Sequence, residues 1–133
     1  MNYWQNPKKP ASIAMAKKFN IIVNQKFTRK EIDIVCELNE FCRAAKIKGK
    51  HYYFVKNETC NYFIDYYLPD YKIAIEIDEF NHSDRNPVYE KNREKYIKNK
   101  LGCVFIRCNP DDPEFNISSL IGQIHRMILK KIN

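Results

Sequence analysis

The spacing of hydrophobic and polar residues predicts a helix followed by three strands. Thr28 and Glu31 form a capping box, and apolar residues at helical spacing follow it, which predicts a helix over about 29–45. Three stretches rich in aromatic and β-branched residues then predict strands at 51–55, 62–68 and 72–78. A Leu-Pro-Asp-Tyr turn joins the second and third strands, so we expect a meander.

The second half of the chain predicts a helix, a strand and a final helix. A polar helix follows Pro87 and stops at Gly102, a strand covers 103–108, and an amphipathic helix covers about 117–131. Residues 1–18 contain two prolines and no clear periodicity, and the apolar run at 19–23 suits either a strand or a lead-in. We therefore expect an N-terminal arm at 1–27 and one domain of order α-β-β-β-α-β-α at 28–133.

Composition narrows the class of protein. The length of 133 residues fits one domain, and 44% hydrophobic residues are enough for a core. The chain has no Gly-rich phosphate-binding motif, no run long enough to span a bilayer and no secretory leader, so we expect a soluble, intracellular protein without a membrane partner. The five cysteines form no CxxC pair, which favours buried reduced thiols over structural zinc.

The positive charge is concentrated near the N-terminus. Residues 1–50 carry the whole net charge of +7, whereas residues 51–133 are balanced. A basic segment beside a focused acidic cluster suits a protein that holds a polyanion and presents a metal to it. A solvated basic tail that aids solubility is the alternative.

The acidic cluster lies on the second and third predicted strands. Alternation along the third strand places Glu76 and Asp78 on the face opposite Ile73, Ile75 and Ile77. The tight hairpin brings Asp65 towards the same side. Gathered carboxylates repel one another unless a cation neutralises them, so the pattern predicts a Mg²⁺ or Mn²⁺ site. Ordinary solvent-facing carboxylates are the alternative.

These residues also carry a family resemblance. The stretch YFIDYYLPDYKIAIEIDEFNH at 62–82 resembles the PD-(D/E)XK nucleases, and more narrowly the branch related to very-short-patch-repair endonucleases. The segment that continues to Asp111 is similar to a version found in proteins of large DNA viruses, which would place the protein in the cytoplasm or nucleus of the host cell. The resemblance covers about residues 28–130 and implies an α/β, restriction-endonuclease-like αβββαβ(α) core with a mixed sheet flanked by helices.

The resemblance also implies metal ligands. In that family the first Asp, the Glu and the carbonyl of the next residue bind the metal, which carries over to Asp65, Glu76 and the Ile77 backbone. The third motif position is usually Lys and here is Asp78, which implies an additional negative ligand and metal activation of water.

Two further catalytic residues are implied. His82 stands where the branch has a general base or leaving-group partner, although it could instead bond to Asp84. An acidic residue from the first helix commonly reaches the site, and Glu31 is the first candidate, with Glu37 second.

The sequence therefore predicts a Mg²⁺-dependent endodeoxyribonuclease or nickase. The candidate nucleic-acid contacts are cationic: Lys30, Lys46, Lys48, Lys50, Arg85, Arg93 and Lys95. Arg85, Arg93 and Lys95 could alternatively pair with Glu90 and Glu94 at helical spacing. The competing hypothesis is a nuclease-fold module that binds DNA with weak or no cleavage. Because one site cuts one strand, double-strand cleavage would need a homodimer or two events.

Overall fold

A computed structural model describes residues 27–79 and 86–132 and contains the predicted elements in the predicted order. The helices are α1 (Arg29–Ala45), α2 (Pro87–Leu101) and α3 (Ile117–Ile132), and the strands are β1 (Lys50–Lys56), β2 (Asn61–Leu68), β3 (Ile73–Ile77) and β4 (Val104–Cys108). Each boundary lies within two residues of its prediction. The predicted arm at 1–27 lies outside the described residues except for Phe27.

The helix ends form as their capping residues require. The Thr28 side chain accepts a hydrogen bond from the Glu31 backbone N–H at the start of α1. The Asn86 side chain does the same for Val88 and Tyr89 at the start of α2, and Gly102 ends that helix in the left-handed region at φ 65°.

The strands form one mixed sheet in the order β1-β2-β3-β4. β1 pairs with β2 and β2 with β3 in antiparallel fashion, whereas β3 and β4 are parallel. Helix α2 connects the two parallel strands, as a parallel pair requires a crossover. The α/β fold with a mixed sheet flanked by helices is thereby confirmed.

Helices cover both faces of the sheet. One core joins apolar residues of α1 and α3 to the sheet, including Val35, Ile75 and Ile124. The other joins Ile97 of α2 to Ala74 and to residues of β1 and β2. All five residues of β3 are buried, so the strand is enclosed on the carboxylate side as well as on the isoleucine side.

The five cysteines are free thiols, of which Cys36, Cys42 and Cys103 are buried. Among the described residues, none of the helices has both the length and the apolar character needed to cross a membrane.

Candidate active site

Two carboxyl groups lie side by side near the centre of the sheet, and a third lies near them on α1. Continuing the register of Tyr66 with Ile75 places Asp65 of β2 opposite Glu76 of β3. Glu31 of α1 lies close enough to act electrostatically on Asp65. Glu76 and Glu31 are only 3% and 7% exposed, so the group sits in a poorly solvated environment.

Asp65 has a strongly raised pKa. Burial, followed by the negative charges of Glu76 and Glu31, raises the pKa of Asp65 to about 9. The Ile77 backbone N–H donates a hydrogen bond of 2.8 Å to the Asp65 carboxyl, which opposes that rise in pKa and fixes the side chain. Asp65 therefore keeps its proton near neutral pH when no cation compensates the neighbouring charges.

Arg93 of α2 neutralises Glu76. Its guanidinium Nη2 donates to Glu76 Oε1 at 2.7 Å and also to the backbone oxygen of Phe63. Glu90 lies 3.9 Å from the same guanidinium. Arg93 was predicted as a nucleic-acid contact or a partner of acidic residues on its own helix. Its side chain is buried between α2 and the sheet and does contact Glu90 of its own helix, but its shorter ion pair is with Glu76 of β3.

His51 of β1 holds Glu31. His51 Nε2 and Glu31 Oε2 are 3.2 Å apart, both side chains are at most a tenth exposed, and the Phe27 ring packs edge-on against the imidazole with ring centroids 4.7 Å apart. Sequence reasoning missed His51 because regular alternation along β1 gives no reason for it to approach α1.

His51 reaches α1 because the alternation of side chains along β1 is broken at Tyr52. Tyr52 has φ 56°, in the left-handed region that bulky residues rarely adopt. His51 and Tyr53 therefore pack on opposite sides, His51 against Glu31 and Tyr53 against Tyr67. His51 pairs with Tyr66 and Tyr53 with Ile64, so the break at Tyr52 falls level with Asp65 and adjoins the acidic group.

The side chains of β2 also depart from regular alternation next to Asp65. Ile64 belongs to the core under α2, whereas Tyr66, two residues on, belongs to the core under α1 and α3. The strained backbone at Tyr52, on the neighbouring strand, is of a kind that is common at functional sites.

Asp78 has a different environment from Asp65 and Glu76. Its carboxylate accepts hydrogen bonds from Arg107 Nη1 at 2.9 and 3.2 Å, and Arg107 also bonds to Glu94 of α2. The predicted fourth ligand thus lies just beyond the end of β3, where its partly exposed side chain is held by an ion pair. His82 and Arg85 lie outside the described residues.

The remaining predicted contacts are on the surface. Lys46, Lys48 and Lys50 are exposed where α1 leads into β1, and Lys95 is exposed on α2. Lys30 is also exposed and forms an ion pair with Asp111. Glu37, the second candidate on α1, is exposed.

A cleft of about 380 Å³ opens onto the acidic group. Its charged lining residues are Asp65, Glu76, Glu90 and Arg93. Its other lining residues are aromatic or amide-bearing: Tyr52, Tyr62, Phe63, Tyr89, Asn61 and Asn86. The cleft gives a ligand from solvent access to the carboxyl groups of Asp65 and Glu76.

The donor chemistry at the floor of the cleft fits a hard divalent cation. Within residues 27–79 and 86–132, no three His, Cys, Asp or Glu side chains are grouped closely enough to hold a metal alone. Asp65 and Glu76 nevertheless offer oxygen ligands side by side, and Mg²⁺ normally takes few protein carboxylates and completes its shell with water and phosphate. Burial and the neighbouring negative charges raise the pKa of Asp65, and a cation there would compensate those charges.

Comparison with known proteins identifies the fold. No protein-family model and no curated protein matches this chain. The chain is similar to a solved structure described as the 5-hydroxymethylcytosine-specific restriction enzyme AbaSI, with 18% sequence identity and a TM-score of 0.57. The match covers 92% of this chain and 48% of that structure, so the chain spans about half its length. The protein therefore has a restriction-endonuclease-like fold.

Proposed function

We propose that the protein is a metal-dependent endonuclease or nickase that hydrolyses phosphodiester bonds in DNA. The observation that carries this proposal is the placement of Asp65 opposite Glu76 at the floor of an open cleft. The negative charges of Glu76 and Glu31 contribute to the raised pKa of Asp65, and a divalent cation would compensate those charges. The restriction-endonuclease-like fold supports it. DNA follows from the substrate class of restriction enzymes.

Asp65, Glu76 and the Ile77 backbone carbonyl are the groups that would hold Mg²⁺ or Mn²⁺. The metal would supply an activated water and neutralise charge on the phosphate. The protein's own contribution is orientation. The Ile77 N–H fixes Asp65, Arg93 fixes Glu76, and each carboxyl group is thereby held in one position.

Arg93 would supply the positive charge that the motif usually places at the third position. Asp78 stands at that position, and its carboxylate is paired with Arg107. The guanidinium of Arg93 is already next to Glu76, where it can balance charge that builds up on a bound phosphate.

Glu31 and His82 have supporting roles in this proposal. Glu31, held by His51, would orient water beside the metal, and His82 would exchange a proton with the attacking or leaving oxygen. The assignment of His82 follows the very-short-patch-repair-like motif, with its version in large DNA viruses, and we infer that this chain belongs to that branch.

DNA would be held by surface cations. Lys46, Lys48, Lys50 and Lys95 are exposed and would bind backbone phosphates, together with Lys30 and Arg85. A single copy would nick one strand, and a homodimer would cut both. Activity on DNA agrees with the intracellular location expected from the sequence.

A supercoiled-plasmid assay tests this function. We expect Mg²⁺ or Mn²⁺ to produce nicked circles with the wild-type protein, and we expect Asp65→Asn and Glu76→Gln to abolish nicking. Asp70→Asn is the matched control, because Asp70 is an exposed carboxylate in the β2–β3 turn.

The binding-module hypothesis makes the opposite prediction. If plasmid, branched and mismatched DNA all remain intact while salt-sensitive DNA binding persists, the nuclease proposal is wrong. An RNA substrate cut in place of DNA would overturn the substrate assignment alone.

A further inference from the structure

The walls of the cleft are built differently from its floor. Tyr52 and Phe63 stack with ring centroids 4.1 Å apart and an interplanar angle of 13°. Tyr62 and Tyr89 form an edge-on pair at 6.2 Å, and Tyr89 is 47% exposed. Both pairs line the same cleft as Asp65 and Glu76. The route to the acidic group therefore passes aromatic rings.

The cleft walls lack charge that would attract a phosphate backbone. Among the lining residues that the structure describes, Arg93 is the cation, and its guanidinium lies beside Glu76 at the floor of the cleft and not on its walls. The amides of Asn61 and Asn86 contribute neutral polar groups of the kind that match base edges. Aromatic faces with neutral amides suit a nucleobase better than they suit a row of phosphates.

The volume of the cleft also favours a single nucleobase as its ligand. Small-molecule sites occupy roughly 300–1,000 Å³, so a cleft of about 380 Å³ lies at the lower end of that range. It matches one nucleotide and is too small to admit a duplex. A base can enter it only when it is not stacked and paired in a helix.

We propose that the cleft binds the base of an unpaired nucleotide whose phosphate lies at Asp65 and Glu76. This inference rests on the proposed function and names its substrate class, which is DNA with an unpaired nucleotide at the cut, such as a single strand, a bulge or a flap. Tyr89 is the principal contact, because it is the most exposed of the aromatic lining residues.

The test uses 2-aminopurine, a fluorescent base that is quenched on stacking. The probe is a duplex oligonucleotide with one unpaired 2-aminopurine, added to the full-length Asp65→Asn protein so that cleavage does not interfere. We expect quenching beyond that of free DNA and tighter binding than for the fully paired duplex. Tyr89→Ala should weaken binding of the unpaired probe about tenfold, which is within the range for one base–aromatic stack.

Tyr89→Phe is the matched control, since it keeps the ring and should keep the quenching. Val88→Ala alters the neighbouring, more exposed side chain outside the cleft and should have no effect. Thermal unfolding of each variant shows that the fold is retained. Equal binding of paired and unpaired probes, or full quenching with Tyr89→Ala, would overturn the inference.

The outcome is separable from that of the nuclease proposal. Metal-dependent nicking that is equally fast on fully paired DNA would overturn the unpaired-nucleotide inference and leave the nuclease standing. Tyr89-dependent quenching without any cleavage would support the base site and overturn the nuclease.

Discussion

At the scale of single residues, the site consists of carboxyl groups that are each held by a different donor. The Ile77 N–H binds Asp65, Arg93 binds Glu76, and His51 binds Glu31. These donors come from three different elements. Burial, followed by the negative charges of Glu76 and Glu31, raises the pKa of Asp65, and the Ile77 backbone N–H opposes that rise.

The raised pKa of Asp65 predicts a gain in stability from Asp65→Asn. The unfolded chain ionises this group near pH 4, whereas the pKa of Asp65 in the folded protein is about 9. Between these values the folded state retains a proton that the unfolded state has lost, so folding stability falls as pH rises. We expect Asp65→Asn to gain stability over the wild type by up to about 1.4 kcal/mol per pH unit above pH 4, which amounts to several kcal/mol at pH 8 and to little at pH 4.

Urea unfolding at both pH values measures this difference, with Asp70→Asn as the control for a carboxylate outside the site. A loss of stability in Asp65→Asn at pH 8 would contradict the assigned pKa shift.

The Arg93–Glu76 pair predicts a large effect of a single substitution. Arg93→Met leaves the Glu76 carboxylate buried without its main cation, and we expect a loss of about 3 kcal/mol. Adding Glu76→Gln should recover part of that loss, because the neutral amide is less costly to bury. A double-mutant cycle in urea at pH 7 measures the coupling.

The exposed pair of Arg43 with Glu40 provides the control. Arg43→Met should cost much less stability than Arg93→Met, as is usual for surface ion pairs. Equal losses for the two arginine variants would show that the Arg93 pair is not a buried one.

At the scale of secondary-structure elements, the sequence predicted the order and bounds because the end signals are strong. Thr28, Pro87 and Gly102 mark helix ends, and β-branched and aromatic runs mark strands. The break in alternation at Tyr52 could not be predicted, because nothing local in the sequence requires a tyrosine to adopt φ 56°. His51 was missed for that reason, and the partner of Arg93 was missed because it lies on a different element.

Replacing each of two glycines by alanine should change the stability of the protein in opposite directions. Gly102 ends α2 at φ 65°, so Gly102→Ala should destabilise the protein by about 1 kcal/mol through backbone strain. Gly122 lies inside α3, where an added Cβ would meet the Arg126 side chain at an ordinary 3.6 Å. Gly122→Ala should therefore stabilise the protein by about 0.5–1 kcal/mol. Thermal unfolding of both variants checks this, and shifts of the same sign would contradict the assignment of one of them.

At the scale of the whole molecule, the acidic group is formed by residues of α1, β2 and β3, whereas the net positive charge of the chain falls within residues 1–50. Five lysines precede residue 27, at positions 8, 9, 17, 18 and 26. The logarithm of the DNA association constant falls linearly with the logarithm of the salt concentration. If the arm binds DNA phosphates, replacing these five lysines by Gln should reduce the magnitude of that slope by up to about 4. Fluorescence anisotropy over a salt series measures the slope. An unchanged slope would show that the arm does not bind phosphates and would favour the alternative of a solvated tail that aids solubility.

The central claim is that Asp65 and Glu76 hold the metal that enables cleavage, and the dependence of nicking on Mn²⁺ and pH tests it most directly. Asp65 must lose its proton to bind a cation, and its pKa is about 9 without one. We therefore predict that the Mn²⁺ concentration for half-maximal nicking falls about tenfold per pH unit between pH 6 and 8 in the wild-type and Asp70→Asn proteins, and that Asp65→Asn does not nick. Nicking by Asp65→Asn, or nicking that needs no metal, would contradict the account.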